Sequence, residues 1–460
     1  MTALALEIAG DGLTLLREGG AVVREPAYAL LEGAAVITGE PARRQYRIRP
    51  RHVQRRFWDQ LGEDEIPGTG LTQADLAHAQ LEAAWEIHGD GVEAVYLVVP
   101  DGYTRDQLGL VLGLAQECGL PVAGLVPTAL AASTRAEPDR QRLHLDAGLG
   151  HFTVTEIVIG ERLRWLRQQR LDSVGLDSLR DRWIRLIGEG FLTSTRFDPL
   201  HDAQSEQALF EALPGWLAAV REGPVRLTLE YQDKRFETQL EATAFTTSVE
   251  RAYRALQQLV AALREPGQPL TLQLGERAAL LPGLAAALAR LGETRVVPLP
   301  PGYAAAGALA RRTMFARGEG ATTVLTRSLP VLEPGDALAL QAPVVEAVPR
   351  PASEAAGGMR ATHVVWRGVA HPLTGDALTI GTAVDDAPPA RGLALPADSA
   401  GVSSRHCELR LLEDGALLTD LSRYGTFING CRAGTETRVQ PGDVIRVGTP
   451  GEELLMIRLA

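Results

Sequence analysis

Near the end of this 460-residue chain, the stretch VSSRHCELRLLEDGALLTDLSRYGTFING gathers hydroxyls, guanidiniums and an imidazole into two short polar runs. Ser403, Ser404, Arg405 and His406 make the first run, and Ser422, Arg423 and Thr426 belong to the second. Hydroxyl donors beside arginines suit a phosphate, because an ionised acceptor strengthens each hydrogen bond it receives. A second set lies toward the other end. Glu7 sits in the apolar run LALEI ahead of Ala9-Gly10-Asp11-Gly12, and Asp146 follows Leu143-His144-Leu145 ahead of Ala147-Gly148-Leu149-Gly150. Glycines let backbone N–H groups approach a phosphate, and a strand-end carboxylate can hold a metal-bound water.

These groups need rigid supports. Cys407–Leu411 alternates apolar and polar residues, Glu413-Asp414-Gly415 turns the chain, and Ala416–Asp420 returns as a strand. Thr426–Ile428 is the next strand, and Asn429-Gly430 predicts a tight turn, since both residues tolerate positive φ. The two polar runs are thus expected together at one end of a small sheet. In the N-terminal part, 4–8 and 13–17 form a hairpin, and Gln73–His88 has the apolar spacing of an amphipathic helix. Val92–Pro100 is nearly all apolar, as in a buried parallel strand. Thr104–Cys118 predicts a helix stopped by Gly119, then a strand over Leu120–Val126 and a helix over Pro127–Ser133. Strands at Leu143–Leu145 and His151–Ile159 flank the second glycine turn. This alternation predicts a mixed or parallel sheet with helices packed on it. No internal repeat is visible.

A formal charge of −11 argues against general nucleic-acid binding, which needs a basic surface. No apolar run is long enough for a transmembrane helix, and the start MTALALEIAGDG lacks the basic leader of a signal peptide. Cys118, Cys407 and Cys431 have neither metal nor redox spacing, so free thiols and a cytoplasmic location are expected. Lys234 is the only lysine, which leaves no lysine for a phosphate loop. Arg43, Arg44, Arg47, Arg49, Arg51, Arg55 and Arg56 form a basic cluster, expected as a solvated face, with a grip on phosphate or an acidic partner left open.

The C-terminal segment, roughly 362–460, resembles a forkhead-associated (FHA) domain, the all-β sandwich that reads phosphothreonine peptides. Gly381, Ser403, His406, Gly425, Thr426, Asn429 and Gly430 carry the resemblance, with the closing run Val439–Gly448. It implies a protein partner, with Ser403, Ser404, Arg405, Arg423 and Thr426 as phosphopeptide contacts. Gly381, His406, Gly425, Asn429 and Gly430 would be structural. Two positions depart from the pattern: Thr382 replaces the phosphate-gripping arginine, and Tyr424 the backbone-holding asparagine. Arg405, Arg423 or Arg391 could restore the charge; a module that docks protein without phosphate is the other reading.

Residues 1–317 resemble the two-lobed ATPase domain of the heat-shock chaperone and actin superfamily. The matches are Gly39–Ala42, Pro50, Arg55-Arg56, Pro100, Gln107, Gly119, Leu120, Pro127–Ala129, Asp146, Gly148, Gly150, Gly275, Pro282, Gly283 and Ala306–Ala308, with Asp198–Leu259 as the inserted helix–sheet–helix piece. The resemblance implies an α/β actin-like fold and ATP with magnesium, held by Glu7, Gly10, Gly12, Arg55, Asp146, Gly148, Gly150 and Gly275. Departures fall on the chemistry. Glu7 replaces an aspartate, Arg55 the catalytic lysine and Val126 a glutamate; His151 and Thr153 replace a threonine and an aspartate, and Glu276 a glycine. Losing these groups together removes what positions water and stabilises phosphoryl charge.

Residues 318–361, rich in Gly, Pro, Ala and Ser, are expected as a flexible linker with room for short strands. The expectation is a cytoplasmic, bacterial-type signalling or scaffold protein, its body hydrolysing ATP weakly or not at all and binding either ATP with magnesium or neither. A working ATPase whose closure controls the FHA-like module is the alternative.

Overall fold

The computed structural model describes residues 2–33, 35–133, 139–220, 223–315, 325–331, 345–346, 361–367, 369–384, 391–397, 399, 401–412, 415–423, 425–428, 431–448 and 451–458. The chain divides into two compact units, residues 1–289 with 294–346, and residues 347–460 with 290–293.

The first unit begins with β1 (Ala3–Ala9), β2 (Gly12–Arg17) and β3 (Val22–Pro26), then β4 (Ala29–Glu32), β5 (Ala35–Thr38), α1 (Glu40–Arg43) and β6 (Val53–Gln54). Next come α2 (Gln73–His88), β7 (Ala94–Val99), α3 (Arg105–Glu117), β8 (Val122–Pro127) and α4 (Thr128–Ala132). Thr72 and Thr104 start α2 and α3 with capping boxes, each exchanging bonds with the residue three places on. Gly119 follows α3 at φ 72°, where a side chain would be strained. The sheet order is β3-β2-β1-β7-β8, with β1 antiparallel to β2 and parallel to β7.

Side-chain alternation along β1 builds two cores and aims one charge. Leu4, Leu6 and Ile8 pack with Leu76, Leu81 and Leu114 of α2 and α3. Ala3 and Ala5 face the other way, toward α4 and a later helix, and the strand's period of two puts Glu7 on that side.

The unit continues with β9 (Gln141–Ala147), β10 (Phe152–Ile159), β11 (Arg162–Leu171), α5 (Leu176–Thr195), α6 (Ala203–Ala219) and the hairpin β12 (Pro224–Tyr231) and β13 (Lys234–Glu241). After α7 (Ala242–Ser248) and α8 (Glu250–Leu263) come β14 (Leu270–Leu274), α9 (Glu276–Ala279), α10 (Leu284–Ala289), β15 (Thr294–Pro298) and α11 (Tyr303–Ala310). Two short strands, β16 (Ser328–Pro330) and β17 (Val345–Glu346), complete a sheet ordered β16-β11-β10-β9-β14-β15-β17.

Two features of the topology extend the sequence reading. Within the segment expected as linker, β16 pairs with β11 and β17 with β15, so parts of it belong to the first unit's sheet. The internal repeat that the sequence hides is present as topology. Three antiparallel strands followed by two parallel ones give β3-β2-β1-β7-β8 once and β11-β10-β9-β14-β15 again. Paired register and face alternation survive without side-chain identity, so a repeat can persist in connection order alone.

In the second unit, one sheet holds β18 (His363–Trp366), β19 (Val369–Pro372), β24 (Thr426–Ile428), β25 (Cys431–Arg432), β27 (Val444–Val447) and β28 (Glu452–Ile457). The other holds β20 (Leu378–Gly381), β21 (Arg391–Ala394), β22 (Cys407–Leu412), β23 (Gly415–Asp420) and β26 (Glu436–Val439). Val364, Ile380, Leu409, Leu418, Ile445 and Met456 form part of one shared core, giving the expected all-β sandwich. Among the described residues, no helix is long and apolar enough to cross a membrane.

Candidate functional site

The loops before β22 and after β23 meet as the hairpin register predicts, since Cys407 lies opposite Asp420. Their junction is His406, fully buried. Its Nδ1 accepts the Ser403 N–H at 3.0 Å, so the proton resides on Nε2 and is donated to the Gly425 carbonyl at 3.2 Å. Burial pushes its pKa below the ordinary value, keeping the ring neutral. A second tie links the loops directly: Arg423 N–H donates to Ser403 Oγ at 3.2 Å. Gly381 is indispensable beneath them, because a Cβ there would meet the Ser404 carbonyl at 2.1 Å.

Ser404, Arg405 and Arg423 are exposed and Ser403 half-buried, so four of the five expected contact residues share one surface. Thr426 does not. It is fully buried and donates its hydroxyl proton to Asp420 Oδ1 at 2.8 Å. Asp420 also accepts the Ser422 N–H at 3.0 Å, and although burial opposes its charge, these bonds hold its pKa below the usual range. Thr426 therefore braces the loop through Asp420. Arg391 is likewise spent elsewhere, donating to Thr374 Oγ1 and the Pro372 carbonyl. Arg405 rests on Glu408 at 2.8 Å. Tyr424, Asn429 and Gly430 lie outside the described residues.

In the first unit, Glu7, Gly10, Asp146, Gly148 and Gly275, among the residues expected to hold a nucleotide, converge between the two sheets. Glu7 on β1 and Asp146 on β9 point into the same space, which Arg277 of α9 fills. Its guanidinium reaches both Asp146 oxygens at 3.1 Å, and Glu7 and Asp11 at 3.5 Å each. Burial opposes the Arg277 charge, but Asp146, Asp11 and Glu7 outweigh it and hold it protonated. One guanidinium cannot neutralise three carboxylates. Asp146 keeps its charge, its pKa lowered by Arg277 and His144 against the effect of burial, whereas burial pushes Glu7 up to about 8. Gly275 allows the approach, since a Cβ there would lie 2.9 Å from Asp146 Oδ1.

The glycine turns are occupied as well. A Cβ on Gly10 would fall 1.9 Å from Asp59 Oδ1, on Gly148 2.7 Å from the His151 ring, and on Gly150 1.9 Å from an Arg56 nitrogen. Gly12 lies within β2, packed so that a Cβ would meet the Glu25 carbonyl at 2.2 Å. At the start of α5, the N–H groups of Leu176 and Asp177 donate to the carbonyls of Gly148 and Leu149. The cleft that remains is lined by Asp59, Asp101, Tyr103, His151 and Arg170 among others. Burial pushes Asp101 up to about 7.

These residues do not fit ATP with magnesium. A fixed guanidinium takes the carboxylates a cation would need, and Asp59 places negative charge where phosphate would approach Gly10. Nor does Arg55 aim at the cleft. Only 8% exposed, it pairs with Asp177 and lies over Tyr28 and Tyr46, 5.4 and 5.0 Å from their ring centres. Arg47 pairs with Glu206 at 3.1 Å and lies over Phe210, so these members of the basic cluster are internal braces, not a solvated face. Among the described residues, no group of three or more His, Cys, Asp or Glu side chains could hold a metal ion.

Arg277 and Asp59 escaped the sequence reading. The one available signal was charge imbalance: Glu7, Asp11 and Asp146 at strand ends required a buried cation.

Comparison with known proteins agrees with the sandwich and its loops. No curated protein matches the chain. Residues 379–448 match the FHA domain family, so the chain carries a C-terminal FHA domain, a protein–protein interaction module.

Proposed function

We propose that this protein is a docking scaffold whose FHA domain binds a phosphothreonine-bearing partner and whose first unit is an actin-like body that does not hydrolyse ATP. The phosphate reading rests chiefly on Ser403. Its Oγ already accepts the Arg423 N–H, and the hydroxyl's own proton can be donated to a ligand at the meeting point of two loops. Of the three arginines that could replace the missing one at Thr382, Arg391 is turned to Thr374 and the Pro372 carbonyl. Arg405 and Arg423, both exposed on the loops that meet at Ser403, are the guanidiniums we assign to the phosphate. Support for the body comes from its twice-used strand order, which fits a two-lobed fold, and from Arg277, which takes the place of a bound cation.

Binding of the full chain to a labelled phosphothreonine peptide pool and its unphosphorylated counterpart tests this. Phosphate-dependent binding should fall about 10-fold or more in Ser403→Ala and in Arg423→Ala, the worth of one charged hydrogen bond. Equal binding to both pools would refute phosphate recognition while leaving protein docking intact.

A further inference from the structure

Adjacent residues of α9 reach from the second sheet to the first with opposite charges. Glu276 pairs with Arg24 on β3 at 2.9 Å and also accepts the Gly302 N–H at 2.5 Å. Arg277 reaches Glu7 on β1 and Asp11 in the β1–β2 turn while holding Asp146 of its own sheet. Side-chain exposure of Arg277 is 7% and of Glu7 3%, so water screens that contact poorly, whereas Arg24 leaves the Glu276 pair partly exposed. Across the cleft, Arg47 N–H donates to Gln207 Oε1 at 2.8 Å and Gln207 donates to the Arg43 carbonyl at 3.0 Å, beside the Arg47–Glu206 and Arg55–Asp177 pairs.

A two-lobed protein closes on a ligand only when that ligand interacts better with the closed than with the open state. Here the chain supplies those interactions itself. We infer that Glu276 and Arg277 form an internal clasp that holds the two sheets of the first unit shut without ligand, an autoinhibitory contact excluding phosphate and cation from the cleft. The inference rests on the proposal that the body does not use ATP. It extends that proposal by making closure a fixed property of α9, so partner binding at the FHA domain proceeds independently of nucleotide.

The test is amide hydrogen exchange on the full chain, wild type and Arg277→Gln, with and without millimolar Mg-ATP. Arg277→Gln should raise exchange about 10-fold in residues 10–13 and 148–152, while Mg-ATP leaves the wild type unchanged. Wild-type protection in a folded Arg277→Gln protein would overturn the clasp and leave the ATP-free reading standing. Slower wild-type exchange on adding Mg-ATP would overturn that reading, and the clasp with it. Should Arg277→Gln fail to fold, Arg24→Ala removes the partly exposed pair alone. It should speed exchange about threefold in residues 22–26 and at Gly302, and no change there would overturn the clasp.

Discussion

Replacing Glu7 by glutamine should remove a pH dependence of stability that the fold imposes. Glu7 is 2% exposed and shares one guanidinium with Asp146 and Asp11. Burial pushes its pKa from 4.5 up to about 8. The folded state therefore keeps a proton that the unfolded chain releases above 4.5. The resulting stability is fully present below pH 4.5 and is lost as pH rises through 8. One pH unit inside that window is worth about 1.4 kcal/mol. Asp101, pushed up to about 7, contributes with the same sign only below 7. His144, pushed down to about 4 by burial, contributes with the opposite sign, and only below its unfolded value near 6.5. Between pH 7 and 9 the tail of the Asp101 titration and the Cys118 and Cys407 thiols, both pushed up by burial, add losses of the same sign in both proteins, so the difference between the two profiles isolates Glu7. In urea unfolding the wild type should lose about 1.4 kcal/mol more than Glu7→Gln across that interval. Tryptophan fluorescence can follow it, because Trp58 and Trp183 are fully buried in the first unit. Parallel profiles for the two proteins would refute the assignment of the proton to Glu7.

The remaining predictions concern single contacts. Arg311, fully buried, donates to the carbonyls of Ala131 and Ser133 at the end of α4, Gly307 of α11 and Pro330 of β16, so Arg311→Met should cost about 3 kcal/mol in urea unfolding. His406→Ala strands the Ser403 N–H and the Gly425 carbonyl; it should destabilise the FHA domain by about 2 kcal/mol, read by calorimetry, and weaken phosphopeptide binding. Because burial holds the His406 pKa low, its contribution in the wild type should fade as pH drops below the unfolded value near 6.5. Gly175→Ala would force a Cβ to 2.4 Å from the Leu149 carbonyl and should lower the melting temperature of the first unit sharply. Gly150→Ala, which meets mainly the movable end of Arg56, should lower it much less.

Strand and helix placement was legible because it depends on local period. Gln73–His88 is the observed α2, and the apolar stretch within Val92–Pro100 is β7, parallel to β1 on one side and β8 on the other. The FHA loops were legible for the same reason: the Cys407–Asp420 hairpin fixes which polar residues meet. The burial of Thr426 was not legible, because its sequence position cannot reveal that Asp420, six residues earlier, takes its hydroxyl.

What the sequence determined by itself is thus the set of elements and the hairpin that joins Ser403 to Arg423. Only the tertiary structure decided what stands between Glu7 and Asp146. Arg277 lies 270 residues from Glu7 and 131 from Asp146, and no local pattern couples such positions. Charge neutralisation in a buried cleft is a long-range requirement met by whichever element the topology brings there. Two sheets of the same strand order brought α9, and with it a guanidinium that stands between the carboxylates.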